Sequence, residues 1–229
     1  MKVIAVTTFW KRPDVSKIFW TQCNEIGLKV IAIVSEGDNE NIRLARKHAL
    51  EVVYHPNGNL PKKWQAGMNV LKNHKFDYFL LMGSDDLVSK KFFTKICEKQ
   101  YKDKSLYFGL RDAVAYSVAL KKFRYWPGYL SGSRVGESIG PGRMIHKSLL
   151  QKIGYRLFED NMGSVDHRCT VKLLGIKVKN KLIATGKEPY RIGIKTEGTL
   201  AANLKGSPFN LNISLGGYYS NKVIDMIIK

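Results

Sequence analysis

The sequence predicts an α/β fold: a mostly parallel sheet with helices on both faces. Three observations predict it. Strand-length apolar runs alternate with amphipathic helical stretches through the first hundred residues. Those runs are continuously apolar, as strands buried on both faces are. The helices carry their own start and stop residues. Repeated strand, helix, strand order requires right-handed crossovers between parallel neighbours. Ligands of such sheets bind outside the carboxyl ends of the strands, so chemistry is expected in segments 7–12, 35–38, 56–63 and 83–86.

The elements follow in order. "KVIAVTT" (2–8) is a buried strand, and "PDVSKIFWTQCNEIG" is a helix with Pro13 at its start and Gly27 at its end. "KVIAIVS" (29–35) is the second strand, and "NIRLARKHAL" (41–50) places Ile42, Ala45 and Ala49 at near-helical spacing. "EVVYHP" (51–56) is a third short strand. In "LPKKWQAGMNVLKN" the apolar Leu60, Trp64, Met68 and Leu71 recur every three or four residues, which marks an amphipathic helix. "DYFLLM" (77–82) is the fourth strand, followed by a helix that Ser89 can cap, with Phe93, Ile96 and Cys97 facing inward. Beyond residue 104 the pattern changes. "SLYFGL" and "AVAYSVAL" read as closely spaced strands, and "YWPGYLSGSRVGESIGPGRM" as a glycine- and proline-rich loop region. Two short helices end at Gly154 and Gly175, and "KVKNKLIATG" is a strand or hairpin arm. Residues 1–104 and 105–229 are therefore expected to form two halves of one domain.

The 229 residues, 44% of them apolar, can fill a proper core. No apolar run approaches the roughly 18 residues of a membrane span, and the N-terminus lacks a small-residue cleavage site. A soluble, cytoplasmic protein without stable membrane insertion is expected, and nothing in the sequence specifies an oligomeric state. Cys23, Cys97 and Cys169 are odd in number and far apart, so buried free thiols are expected rather than disulfides or a zinc site. The net charge of +19 points to a polyanionic partner: nucleic acid, an anionic membrane surface or a phosphorylated substrate. Residues 121–195 hold sixteen basic and five acidic side chains, so the excess lies in the second half.

The fourth strand runs into "GSDD", two adjacent carboxylates in a chain with twice as many basic as acidic residues. Asp85 and Asp86 suit an ordinary turn, and equally suit a divalent cation, because Mg²⁺ or Mn²⁺ often takes one or two carboxylates plus substrate phosphates. With "TTFWKRP", "GNLPKKWQAGMN" and "MGSDDL" in this order, the chain resembles the nucleotide-sugar glycosyltransferases of the GT-A (Rossmann-like) fold, especially the inverting family 2 type. The likeness extends through "GPGRMIHKSLLQKIG", "EDNMGSVDHRCTVKLLG" and "YRIGIKTEGTLAAN", over roughly residues 2–200. It implies that residues 1–104 bind a UDP-sugar and 105–229 the acceptor. Gly83, Ser84 and Asp85 fall on the D-x-D motif, with glycine at the first position and Asp85, followed by Asp86, as the implied ligands of Mn²⁺ or Mg²⁺.

The resemblance assigns the catalytic base to Asp166, which also suits a favourable interaction with a helix N-terminus; Glu159 and Asp160 are fallback candidates. It assigns donor contacts to Thr7, Thr8, Phe9, Arg12, Glu36, Lys63, Ser84 and Asp85. Thr7 equally suits a buried strand position, Glu36 a solvated loop, and Trp64 the core. Acceptor contacts fall to Trp126, Arg143 and His167, with Gly140 and Gly142 shaping that side.

For the acceptor, the basic second half and the aromatics of "KKFRYWPGY" (Phe123, Tyr125, Trp126) suit a phosphate backbone and an extruded base. The leading expectation is transfer of a sugar, glucose in the first instance, to a 5-hydroxymethylpyrimidine in DNA, as in small viral enzymes of this type. The alternatives are a surface or lipid-linked glycan acceptor, for which only the tail "SNKVIDMIIK" suggests membrane contact, and a non-catalytic nucleotide- or nucleic-acid-binding module, suggested by the missing first aspartate.

Overall fold

The computed structural model describes residues 1–158, 165–196 and 209–228. The core is a seven-stranded sheet whose strands, from one edge to the other, are β10 (Lys181–Ile183), β6 (Tyr107–Leu110), β9 (Arg143–His146), β4 (Tyr78–Leu81), β1 (Val3–Thr8), β2 (Lys29–Val34) and β3 (Glu51–Tyr54). Strands β1 to β4 are all parallel. Of the remaining three only β9 is antiparallel to its neighbours, β4 and β6. The sheet thus draws strands from both halves of the chain and is mostly parallel, as expected.

Side chains alternate across it. Ala5, Val30, Ala32, Val34, Tyr78 and Leu80 enter one core with Phe19, Trp20 and Cys23 of helix α1 (Pro13–Ile26). Ile4, Val6, Ile31, Ile33, Phe79 and Leu81 enter the other, beneath α3 (Leu60–Leu71), α5 (Lys147–Lys152) and α6 (Val165–Gly175). Helix α2 (Asn39–His48) packs beside α1. Gly67 lets α3 lie close to the sheet, because a β-carbon there would sit 2.4 Å from Val6 and 2.7 Å from Ile33.

A second sheet runs β5-β11-β7-β8, from β5 (Asp86–Val88), β7 (Ala113–Ser117), β8 (Lys122–Trp126) and β11 (Arg191–Lys195). The short strands β5, β8, β9 and β11 lie outside the apolar runs expected as strands. For β5, β9 and β11 the pairing comes from distant chain, such as Asp86 beside Gly193, while β8 folds back on β7 as a hairpin. Ser89 does cap the helix after β5, accepting from the Phe92 amide at 3.2 Å. That helix opens as a π-turn (Phe92–Cys97) before α4 (Glu98–Lys102), which buries Phe92 completely and leaves Phe93 half-buried. The tail forms α7 (Asn221–Ile228), whose Val223 and Ile227 are buried in the α1-side core. The apolar edge that suggested membrane contact therefore packs largely against protein. Among the described residues no helix is long and apolar enough to cross a membrane.

Candidate active site

A cleft of about 660 Å³ opens at the carboxyl ends of β1 and β4, where the fold is expected to bind ligands. One wall carries Thr8, Trp10, Arg12, Asn57, Lys63, Ser84 and Asp85, and the other carries Arg124, Trp126, Tyr129, Gly140 and Asp166.

The loop after β1 is held in an unusual shape. Lys11 and Arg12 both have φ of 54°, and Arg12 also precedes Pro13. A left-handed non-glycine residue costs on the order of 1–2 kcal/mol, and a following proline disfavours helical geometry further. Asp38 offsets this by accepting from the Lys11 amide (2.6 Å) and from Asn41 Nδ2 (2.8 Å), while the same Asn41 amide donates to the Lys11 carbonyl (2.8 Å). The strained turn aims Arg12 into the cleft, and strain of this kind is a mark of functional sites. Lys63, almost fully buried, donates to Ser35 Oγ at 2.8 Å and lies 5.9 Å from the centre of the Trp10 ring. Burial lowers its pKa, against an opposing pull from Asp38.

Asp85 and Asp86 are surrounded by cations. Lys195 Nζ donates to Asp85 Oδ2 at 3.1 Å, and Arg12 Nη1 lies 3.7 Å from the same oxygen. Arg191 pairs with Asp86 Oδ1, and the Gly83 amide donates to Asp86 Oδ2 at 2.8 Å. Burial would raise the Asp85 pKa, but Lys195 and Arg12 outweigh it and hold the carboxyl below its usual range. The motif's missing first aspartate has a steric counterpart. A β-carbon on Gly83 would meet Asp86 Oδ2 at 2.8 Å and Asp85 Oδ1 at 3.0 Å, so both carboxylates occupy that space.

This donor set does not fit a divalent cation. Asp86 is 2% exposed with both oxygens engaged, and Asp85 already shares one oxygen between two cations. Two unit charges of like sign at 4 Å repel by roughly 4 kcal/mol at an effective dielectric of 20, and a metal would bring two. Among the described residues no three His, Cys, Asp or Glu side chains gather as a metal site. The metal role expected for Asp85 and Asp86 fits this geometry poorly, because Asp86 is buried with both oxygens engaged and side-chain cations already crowd Asp85.

On the opposite wall, Asp166 sits in the first turn of α6 with its carboxyl against Gly140, where a β-carbon would lie 2.4 Å from the carboxyl atoms. Arg143 fixes this arrangement from below. Fully buried, it donates to the carbonyls of Ile139 (3.0 Å), Ser138 (2.6 Å) and Asp166. One guanidinium thereby ties the 138–140 segment to the start of α6.

The structure gathers Thr8, Arg12, Lys63, Ser84, Asp85, Asp86, Trp126 and Asp166 around the cleft. It places five expected contacts elsewhere. Phe9 is fully buried, stacked on Trp20 at 5.1 Å, because alternation along β1 turns it into the core. Thr7 is likewise buried and donates to the Met82 carbonyl at 3.0 Å, linking β1 to the end of β4. Glu36 is exposed and outside the cleft; the working carboxylate of that loop is Asp38. Arg143 is fully buried, donates to backbone carbonyls and does not line the cleft. His167 turns away from the cleft to pair with Glu137, itself held by Arg134 at 2.9 Å. Of the aromatic cluster on β8, Trp126 faces the cleft, whereas Phe123 packs on Tyr116 and Tyr125 donates to Asp112. Glu159 and Asp160 lie outside the described residues. Trp64 is both a core residue and part of the cleft lining.

Sequence reasoning missed Trp10, Arg191 and Lys195. The signal for the last two was present: Arg191, Gly193 and Lys195 share one face of a strand by simple alternation, with the glycine leaving room between the cations.

No protein-family model matches the chain, and no curated protein matches it in sequence. Solved structures do match its fold. S. aureus TarS 1-349 in complex with UDP-GlcNAc superposes with a TM-score of 0.62 at 15% identity, over 87% of this chain and 60% of that one. TarS 1-349 alone and with UDP each give 0.55, at 12% and 13% identity, over 85% and 86% of this chain. The chain spans about 60% of the length of these structures. At such identity the likeness establishes the GT-A glycosyltransferase fold.

Proposed function

We propose that the chain is an inverting glycosyltransferase that moves a sugar from a UDP-sugar to a hydroxyl acceptor. The observation that carries this reading is the single cleft with Arg12, Lys63, Asp85 and Lys195 on one wall and the Asp166 carboxyl on the other. The matching fold in complexes with UDP-GlcNAc and UDP supports it. In the reaction, the acceptor oxygen bonds to the anomeric carbon as the bond from that carbon to the β-phosphate oxygen breaks. The electron pair leaves with UDP and the hydroxyl proton passes to Asp166. Thr8 and Trp10 suit the nucleoside, and the cationic wall suits the diphosphate, where negative charge builds up in the transition state.

For the acceptor we propose a 5-hydroxymethylpyrimidine in DNA, with the transfer in the cytoplasm. Support comes from the net charge of +19, its concentration in residues 121–195, and Trp126 and Tyr129 on the acceptor wall. Incubation with a panel of UDP-sugars and hydroxymethylpyrimidine DNA, read by nucleoside mass spectrometry, tests both parts. A glycosylated nucleoside supports the full reading. UDP release without DNA modification or low-salt DNA binding leaves a glycosyltransferase with another acceptor. Absence of UDP release with any sugar, beside intact UDP binding, would favour the non-catalytic module.

A further inference from the structure

We propose that this site stabilises the departing diphosphate with Arg12, Arg191 and Lys195 in place of a divalent cation, so that donor binding and transfer proceed without metal. The inference rests on the nucleotide-sugar reading above and specifies how that site handles charge.

Three cationic side chains face two carboxylates, so the group is positive before any donor arrives. It is also under-satisfied. Arg12 Nη1 and Arg191 Nε are buried without a hydrogen-bond partner among the described residues, and both side chains line the cleft. Buried donors of this kind are costly unless a ligand completes them, and a diphosphate supplies oxygen acceptors suited to guanidinium groups. The site is built for the purpose. Gly193 separates Arg191 from Lys195 on one face of β11, and its absent β-carbon would meet Arg191 Nη2 at 3.1 Å and Lys195 Cε at 3.2 Å. Asp86 lies opposite Gly193 in the pairing of β5 with β11, and the Asp85 carbonyl accepts from the Ile194 amide at 2.7 Å. The two carboxylates therefore orient the cations. As the bond to the anomeric carbon breaks, its electron pair moves onto the β-phosphate oxygen, and the added charge falls beside a wall that is already positive.

The test is calorimetric binding of UDP and of inorganic pyrophosphate to the full chain, in EDTA and in Mn²⁺, with Mn²⁺ followed separately by electron paramagnetic resonance. The expected result is a UDP Kd in EDTA within about twofold of that in Mn²⁺, with no Mn²⁺ sequestered beyond what UDP alone binds. Lys195→Ala should weaken UDP binding by about 10- to 100-fold while leaving uridine binding unchanged, and Lys195→Arg should recover most of the loss. The wild-type comparison decides the matter even where the alanine variant fails to fold. Binding that disappears in EDTA and returns with Mn²⁺ overturns the proposal and leaves the glycosyltransferase reading standing. If neither UDP nor pyrophosphate binds in either condition, both fall.

Discussion

The two walls of the cleft are built differently. The wall that carries Arg12 is aimed by backbone conformation: a strained turn at Lys11 and Arg12, pinned by Asp38 and Asn41, presents side chains next to the strand that carries them. The wall that carries Asp166 is held by one side chain, because the Arg143 guanidinium gathers carbonyls from Ser138, Ile139 and Asp166 and ties the start of α6 to that segment. The lesson concerns robustness. A turn pinned by several hydrogen bonds does not hang on any one side chain, whereas a wall held by one buried cation should move as a unit when that cation or its contacts change.

Substitutions can break or sharpen this contrast. Phe9→Ala removes a fully buried ring stacked between helix and sheet and should cost about 3–5 kcal/mol of unfolding free energy by denaturant titration. Next in size is Gly140→Ala. The three atoms nearest the new methyl all belong to the end of the Asp166 side chain, so stability should hardly change, but the displaced carboxylate should lower kcat by about 100-fold. Trp10→Ala, one residue from Phe9 but half-buried in the cleft wall, should barely affect stability and weaken UDP binding by about 1–3 kcal/mol, the worth of one stacked base. Equal stability losses at positions 9 and 10 would remove the distinction between core and wall. The smallest effect is expected at the cysteines. All three are buried, and burial raises their thiol pKa values, that of Cys169 to about 11. A thiol reagent should therefore label none of them in the native protein and all three in denaturant.

A contrast between signals within one element and pairing across the chain explains what was legible in the sequence. Strands β1 to β4 and helices α1 to α3 announce themselves through continuous apolar runs, Pro13, Gly27 and the spacing of Trp64, Met68 and Leu71, all signals within one element. Strands β5, β9 and β11 are three to five residues long and pair with distant chain, and the five residues of β8, though paired with neighbouring β7, run straight into a glycine- and proline-rich segment. Among site residues, Arg12, Lys63, Asp85 and Asp166 follow from strand ends and family resemblance. Phe9 and Arg143 were misplaced because a motif fixes a position along the chain and leaves open which way the side chain turns. Arg191 and Lys195 escaped because their significance lies in carboxylates about a hundred residues earlier.

Turnover of UDP-sugar by the wild type and by Asp166→Asn, each with UDP affinity measured in parallel, tests the central claim most directly. If Asp166 accepts the acceptor's proton, the variant should bind UDP as the wild type does and lose about 10²- to 10⁴-fold in kcat. Equal turnover by the two proteins would contradict the account.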